Sequence, residues 1–342
     1  MKKMCLQRLQ LLELSANRLV NRQEEEEEDG DEEEEEEEEV DDGGVWALTA
    51  ALADGACSRL TTLLLDDTDL GEAGLLLLAR AMESVAFPPS LRTLNLSGVG
   101  LTDEGLGVLG SALEKGIVGK SLQKLVLDDG RYHKVGKEAV LAFLDTLLPS
   151  SAPSPAAAAA PASQGGSSSS SSSSLPPSLP VCGGELIHLS LRGLPLDDEG
   201  VKRFAAALRG GRGREGRREG GMDLGKLEVL DLADTLVGEE GYEGLMEGVG
   251  EGCPLLQTLS VAGTQVGNEG VFALVTRMVG GRGGREGGRE EGGAFLPALR
   301  VVNVSSTNVE RSEEVRRALV SLARKRPRVA RKRPGIEVKL TD

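Results

Sequence analysis

Residues 91–113 read LRTLNLSGVGLTDEGLGVLGSAL, and the period of their apolar residues changes half-way along. Through Leu94-Asn95-Leu96 the leucines alternate with other residues, as in a short strand with one face turned inward. After Thr102-Asp103-Glu104-Gly105 the leucines fall at Leu106, Leu109 and Leu113. That is the three-and-four spacing of an amphipathic helix, with acids in its first turn, where the helix dipole favours them. The stretch therefore encodes a strand followed by a helix.

The unit recurs with first leucines at Leu9, Leu60, Leu91, Leu122, Leu186, Leu227, Leu256 and Leu299, spaced 29 to 31 residues apart where nothing intervenes. A glycine 14 residues after the first leucine marks the same register as Gly74, Gly105, Gly136, Gly200, Gly241 and Gly270. A period of this size is the signature of a repeat architecture. One unit cannot bury its own leucines, whereas stacked neighbours form a continuous core. Each helix returns the chain, so the strands must run parallel. The expected fold is an α/β leucine-rich-repeat solenoid of about eight repeats spanning residues 1–342. It should form a partial horseshoe with the sheet on its concave side and the helices on its convex side.

The turns Leu196-Asp197-Asp198-Glu199-Gly200-Val201 and Val266-Gly267-Asn268-Glu269-Gly270-Val271, with the repeat length, resemble those of the ribonuclease-inhibitor-like leucine-rich repeats. The resemblance covers most of the chain. It implies fold and not function, since that class includes inhibitors, immune-receptor repeat domains and activators of Ran-type GTPases. The activators act through a strand-to-helix loop. The loop that departs most here is Asp128-Asp129-Gly130-Arg131-Tyr132-His133-Lys134, so Arg131 is the candidate catalytic residue under that alternative.

Four insertions break the period. Residues 21–42 lie between a strand and a helix, whereas 149–184, 210–221 and 280–293 lie between a helix and the next strand and should leave from the opposite rim. Loop closure grows costlier only logarithmically with length, so none is expected to be a domain boundary. The Ala/Pro/Ser-rich tract at 149–184 cannot bury a core and is expected to be disordered. At the N-terminus no polar cap precedes the first repeat, which implies missing upstream repeats or an edge covered by Met1 to Gln7. The first helix should pack Trp46. The last repeat has Glu313 in place of the marker glycine, and Ile336-Glu337-Val338-Lys339-Leu340 reads as one further strand closing the sheet.

Charge is local. The chain carries −16, yet residues 24–42 alone hold 17 acidic and no basic residues, leaving the remainder at +1. Such a run stays extended and offers a contact for basic proteins, or serves only as a solvated expansion. The acidic disordered insertion at 21–42 has a basic counterpart at 324–334. There Arg324, Lys325, Arg326, Arg328, Arg331, Lys332 and Arg333 form either a nuclear localisation signal or a loop whose cations suit a helix C-terminus. The Gly/Arg/Glu-rich loops resemble an RNA-binding composition, but Glu215, Glu219, Glu286, Glu290 and Glu291 offset their arginines and no aromatic residue is present for stacking. Nucleic acid is therefore not the expected partner.

The concave face should display the outward strand residues, among them Glu13, Asp66, Asn95, Asp128, Ser190, Arg192, Asp231 and Asn303. Interface anchors favour Trp, Tyr and Arg, and of these only Arg192 falls on the face. Chemistry has little to work with. Histidines number two, the cysteines stand apart at Cys5, Cys57, Cys182 and Cys253, and neither zinc spacing nor a phosphate-cradling loop is present. No cofactor or metal is implied. Gln7, Arg8, Gln10 and Glu13 interrupt any leader-like apolar core, and no run of 18 apolar residues exists to span a membrane. The expectation is a non-enzymatic protein-interaction scaffold of a reducing compartment, cytoplasmic or nuclear.

Overall fold

A computed structural model describes residues 6–17, 43–68, 70–128, 134–147, 185–210, 224–280, 296–307, 317 and 337–339. The insertions at 21–42, 149–184, 210–221 and 280–293 lie wholly or almost wholly outside these residues, as do the basic segment 324–334, Arg131 and Glu313. Among the described residues the strands are β1 (Leu11–Glu13), β2 (Thr62–Leu64), β3 (Thr93–Asn95), β4 (Lys124–Val126), β5 (His188–Ser190), β6 (Val229–Asp231), β7 (Thr258–Ser260), β8 (Val301–Asn303) and β9 (Glu337–Lys339). The helices are α1 (Gly43–Ala53), α2 (Gly71–Met82), α3 (Asp103–Lys115), α4 (Val118–Ser121), α5 (Lys137–Leu147), α6 (Asp198–Gly210), α7 (Glu239–Gly252) and α8 (Asn268–Gly280).

The strands form one parallel sheet in sequence order, β1 to β9. This is the α/β leucine-rich-repeat solenoid that the periodicity predicts, and β9 is its closing strand. Register is held by identical residues. Leu12, Leu63, Leu94, Leu125, Leu189, Leu230 and Leu259 are paired in succession, with Val302 and Val338 continuing the row. From Leu63 to Val302 this row is almost completely buried, because each side chain is roofed by the repeats on either side.

The marker glycines are where helices approach closely. A methyl group added at Gly105 would stand 2.9 Å from Leu75 of the preceding helix, one at Gly200 3.0 Å from Leu141, and one at Gly270 3.1 Å from Tyr242. Gly136 is a correction to the sequence register. It stands just ahead of α5, and Ala139 takes the place in the first turn that glycine holds elsewhere. The cause is loop length: α5 begins at Lys137, eleven residues after β4 ends at Val126, whereas Asp103 follows Asn95 by eight.

Where an acid opens the helix, as in α3, α6 and α7, it reaches the next repeat. Asp103 Oδ1 accepts from the backbone N–H of Gly136 at 2.5 Å, and Asp198 Oδ1 from that of Gly238 at 2.6 Å. Glu239 lies over Gly267, where a methyl group would collide with its Oε1. Both recipients are the residue immediately before a helix, whose N–H groups lack intrahelical partners. The Thr-Asp-Glu-Gly type of turn therefore joins repeats as well as starting helices.

Trp46 corrects a second expectation. It is 63% exposed, and α1 buries Val45, Thr49 and Leu52 instead. Those three fall on one stripe at spacings of four and three, and Trp46 lies one residue, about 100°, round from it. Cys57 and Cys253, each three residues before a first leucine, are buried. Tyr242 is fully buried with no partner for its hydroxyl, and burial holds its pKa far above the usual tyrosine range.

The closest helix packing joins α6 to α7. Methyl groups at Gly248 and Gly252 would stand 2.5 Å from the Cα and O of Ala205 and 2.6 Å from the O of Leu208. Backbone cannot yield as a flexible side chain can, so Gly248→Ala should destabilise the chain by about 1–3 kcal/mol. The exposed helical Gly107 has nothing within 4 Å of an added methyl group. Gly107→Ala should instead be neutral or stabilise by up to about 1 kcal/mol, through the entropy that glycine loses on folding. Urea midpoints for the two variants check both signs, and equal shifts would refute the close-packing account.

Candidate protein-binding surface

The residues that flank the buried leucines face the concave side. Leu64, Asn95, Val126, Asp231 and Asn303 are half-buried there, whereas Ser190 and Ser260 are buried. Asp66 and Asp128 are half-buried, whereas Glu13 and Arg192 are exposed. The sheet thus brings all the outward residues named from the sequence onto one surface, but most of their polar atoms are engaged with each other.

At the N-terminal end, Ser15 Oγ and Asn95 Nδ2 both donate to Asp66 Oδ1, at 2.7 and 2.9 Å. Ser97 donates to Asn95 Oδ1 through its hydroxyl at 2.7 Å and its backbone N–H at 3.2 Å. Asn303 and Ser305 repeat that pair, and Asp231 Oδ1 accepts from the N–H of Ala233. A short polar side chain accepting from the backbone two residues on is an Asx turn, which bends the chain out of the strand. Three residues after the last strand residue, among the described residues, the backbone takes positive φ, as at Asp67, Gly98, Gly193, Asp234 and Gly263. Asn95, Asp231 and Asn303 are therefore turn-formers as well as surface residues.

Arg192 spans three repeats. Its Nε donates to Asp234 Oδ2 at 2.8 Å and lies 3.9 Å from Asp128 Oδ2. The one arginine that the sequence offers as an anchor is already held by carboxylates of the repeats on either side. Asp234 is a site residue that the sequence reading missed, being one place beyond the outward positions, at a left-handed turn with φ 57.

Lys124 and His188 were missed too, although their offset from the first leucine is constant and alternation along the strand would place them on the face. They are register partners in β4 and β5. Burial holds the His188 pKa below the ordinary histidine value, Lys124 adds to the depression, and Asp231 opposes it.

Above the concave face runs the rim where strands end and helices begin. First-turn acids gather on it, as at Asp103 and Glu104, Asp198 and Glu199, and Glu239 and Glu240. Last-turn bases lie at the other rim, as at Arg80, Lys115, Arg209 and Arg277. The helices that return the chain from strand to strand point the same way, so charges that suit each dipole separate to opposite sides of the solenoid. The acidic run at 24–42 enters the chain between β1 and α1, at the acidic rim. Among the described residues no group of three or more His, Cys, Asp and Glu could hold a metal ion, and no helix is long and apolar enough to cross a membrane.

A leucine-rich-repeat family model matches residues 87–110 and 252–275. Both segments begin four residues before a first leucine, Leu91 and Leu256, and so fix the same phase. No curated protein matches the chain. A crystal structure of a TLR13–ssRNA13 complex is similar at 11% identity and a TM-score of 0.30, over 76% of this chain and 31% of that one. The chain therefore spans about a third of the length of that solved structure.

His188 gives the face a measurable signature. The unfolded chain takes up a proton near pH 6.5 that the folded chain resists, so stability should fall as pH drops through that value and level off below the folded pKa. Urea midpoints between pH 7.5 and 5.5 should fall more steeply for the natural chain than for His188→Gln. Parallel slopes would mean that His188 is not held neutral.

Proposed function

We propose that this leucine-rich-repeat protein is a non-enzymatic scaffold of the ribonuclease-inhibitor-like class that holds a basic protein segment along its acidic rim and concave face. One observation carries the reading: the rim that bears the first-turn acids is the rim at which the 17-acid run enters the chain. The structured acids and the chain ends that flank the acidic run share this rim, where fields of one sign add and raise the encounter rate with cations. The face supplies shape and register, with Asp66, Asp128 and Asp231 on alternate repeats. Its polar side chains are largely pre-ordered by mutual hydrogen bonds, which lowers the entropy lost on binding.

The test is capture at near-physiological salt by three forms: the full chain, the chain lacking residues 24–42, and an Asp66→Asn/Asp231→Asn variant. Basic proteins should be retained by the full chain and reduced by both changes, with binding to the full chain falling and the difference narrowing as salt rises. Partners indifferent to all of these changes would sink the proposal.

The longer strand-to-helix loop of repeat four, which carries Arg131, supports a second reading as an activator of a Ran-type GTPase. An arginine given in trans would stabilise charge in phosphoryl transfer. Stimulated GTP hydrolysis that disappears in Arg131→Ala would replace the scaffold reading, and hydrolysis left unstimulated by the full chain would remove this one.

A further inference from the structure

The helix layer is uneven. α6 lies backbone to backbone against α7 through Gly248 and Gly252, while α5 and α6 approach each other less than any other described helices of consecutive repeats. The junctions on either side are closed by buried or backbone contacts. Between repeats three and four, Asp103 accepts from the Gly136 N–H and Phe143 fits against Gly110, where an added methyl group would stand 3.1 Å from its ring. Between repeats five and six, Asp198 accepts from the Gly238 N–H.

At the junction of repeats four and five that device changes chemistry. The residue opening α5 is Lys137, so the tie to the next repeat is an ion pair to Asp197 at 2.5 Å and to Glu199 at 3.8 Å. Its side chains are 35%, 32% and 62% exposed. On the concave side the matching tie is Arg192 to Asp128, also solvent-accessible. The backbone ladder is unbroken, with Lys124, Leu125 and Val126 paired to His188, Leu189 and Ser190, and Leu141 against Gly200 is an apolar contact between α5 and α6.

We propose that the junction of β4 and β5 is a hinge joining two blocks, residues 43–147 and 185–307, with the sheet as its axis and partly exposed ion pairs as its latches. Bending about a continuous ladder opens or closes the convex side without breaking strand pairing. The hinge line passes under Asp128, His188 and Arg192, so the angle sets the curvature at the centre of the concave face. The latches are open to solvent on one side, so salt weakens them, whereas the glycine-lined packing of α6 on α7 is insensitive to screening. The hinge does not depend on which partner the surface takes.

Spin-label distances on the full chain test it. Cys5 and Cys182 are changed to serine, while Cys57 and Cys253 are buried and stay. One labelled pair, Glu114→Cys with Ala206→Cys, crosses the junction, and another, Ala206→Cys with Glu251→Cys, reports on α6 against α7. All three positions are exposed. Raising sodium chloride from about 0.05 M to about 1 M cuts the screening length to about 3 Å. The crossing pair should then broaden and shift while the control pair stays fixed, and Lys137→Ala should give the same change at low salt. A crossing distribution as narrow as the control and unmoved by salt would overturn the hinge, as would equal broadening of both pairs. The salt series on the labelled chain without Lys137→Ala carries the test independently of how that variant folds.

Discussion

Leu63, Leu94, Leu125, Leu189, Leu230 and Leu259 stand in register on consecutive strands, and each is buried because the strands on either side carry the same residue at the same place. A strand of three residues has too little surface to hide its own leucine. The sheet exists only as a sequence of neighbours, and every other feature must keep neighbours in phase. Stability in such a chain is local to each junction and passed along it.

Keeping phase explains the turn. Glycine in the first helical turn lets adjacent helices close, and the acid ahead of it reaches an N–H group at the start of the next helix. The two sit two residues apart because they serve opposite sides of one helix end, the glycine toward the preceding repeat and the acid toward the following one. Repeat four departs from this arrangement. Its loop is longer, and Lys137 and Ala139 take the places of acid and glycine. Its tie to repeat five is correspondingly an ion pair that solvent reaches. Burial raises the Asp197 carboxyl, but the Lys137 ammonium and the Gly200 N–H outweigh it and hold its pKa below the usual range. This contribution is present above the ordinary aspartate pKa and fades as pH falls through the lowered one.

The same geometry polarises the molecule. Parallel strands force parallel helices, and aligned helices put every favourable first-turn acid on one rim and last-turn base on the other. A local rule of helix stability thereby becomes a charge separation across the whole solenoid. On the concave face the polar side chains are not idle between ligands. Asn95, Asp231 and Asn303 shape the strand ends, and Arg192 ties three repeats together, so the surface is ordered before anything binds to it.

Periodicity alone determined the strand-and-helix unit, its parallel stacking, the inward leucines and the list of outward residues, because alternation in a strand and three-four spacing in a helix follow from backbone geometry. The sequence also carried the closing strand and the burial of Cys57 and Cys253. Tertiary structure decided what spacing cannot encode. An offset counted along the chain placed Gly136 inside a helix, and the longer loop of repeat four moved it out. Trp46 reads as core by hydrophobicity, yet the helix turns it outward because Val45, Thr49 and Leu52 take the inner stripe. Arg192 meets Asp128 and Asp234, 64 and 42 positions away along the chain, only once the chain between them is folded away. Local pattern is fixed by near neighbours in sequence, and these pairings are made by neighbours in space.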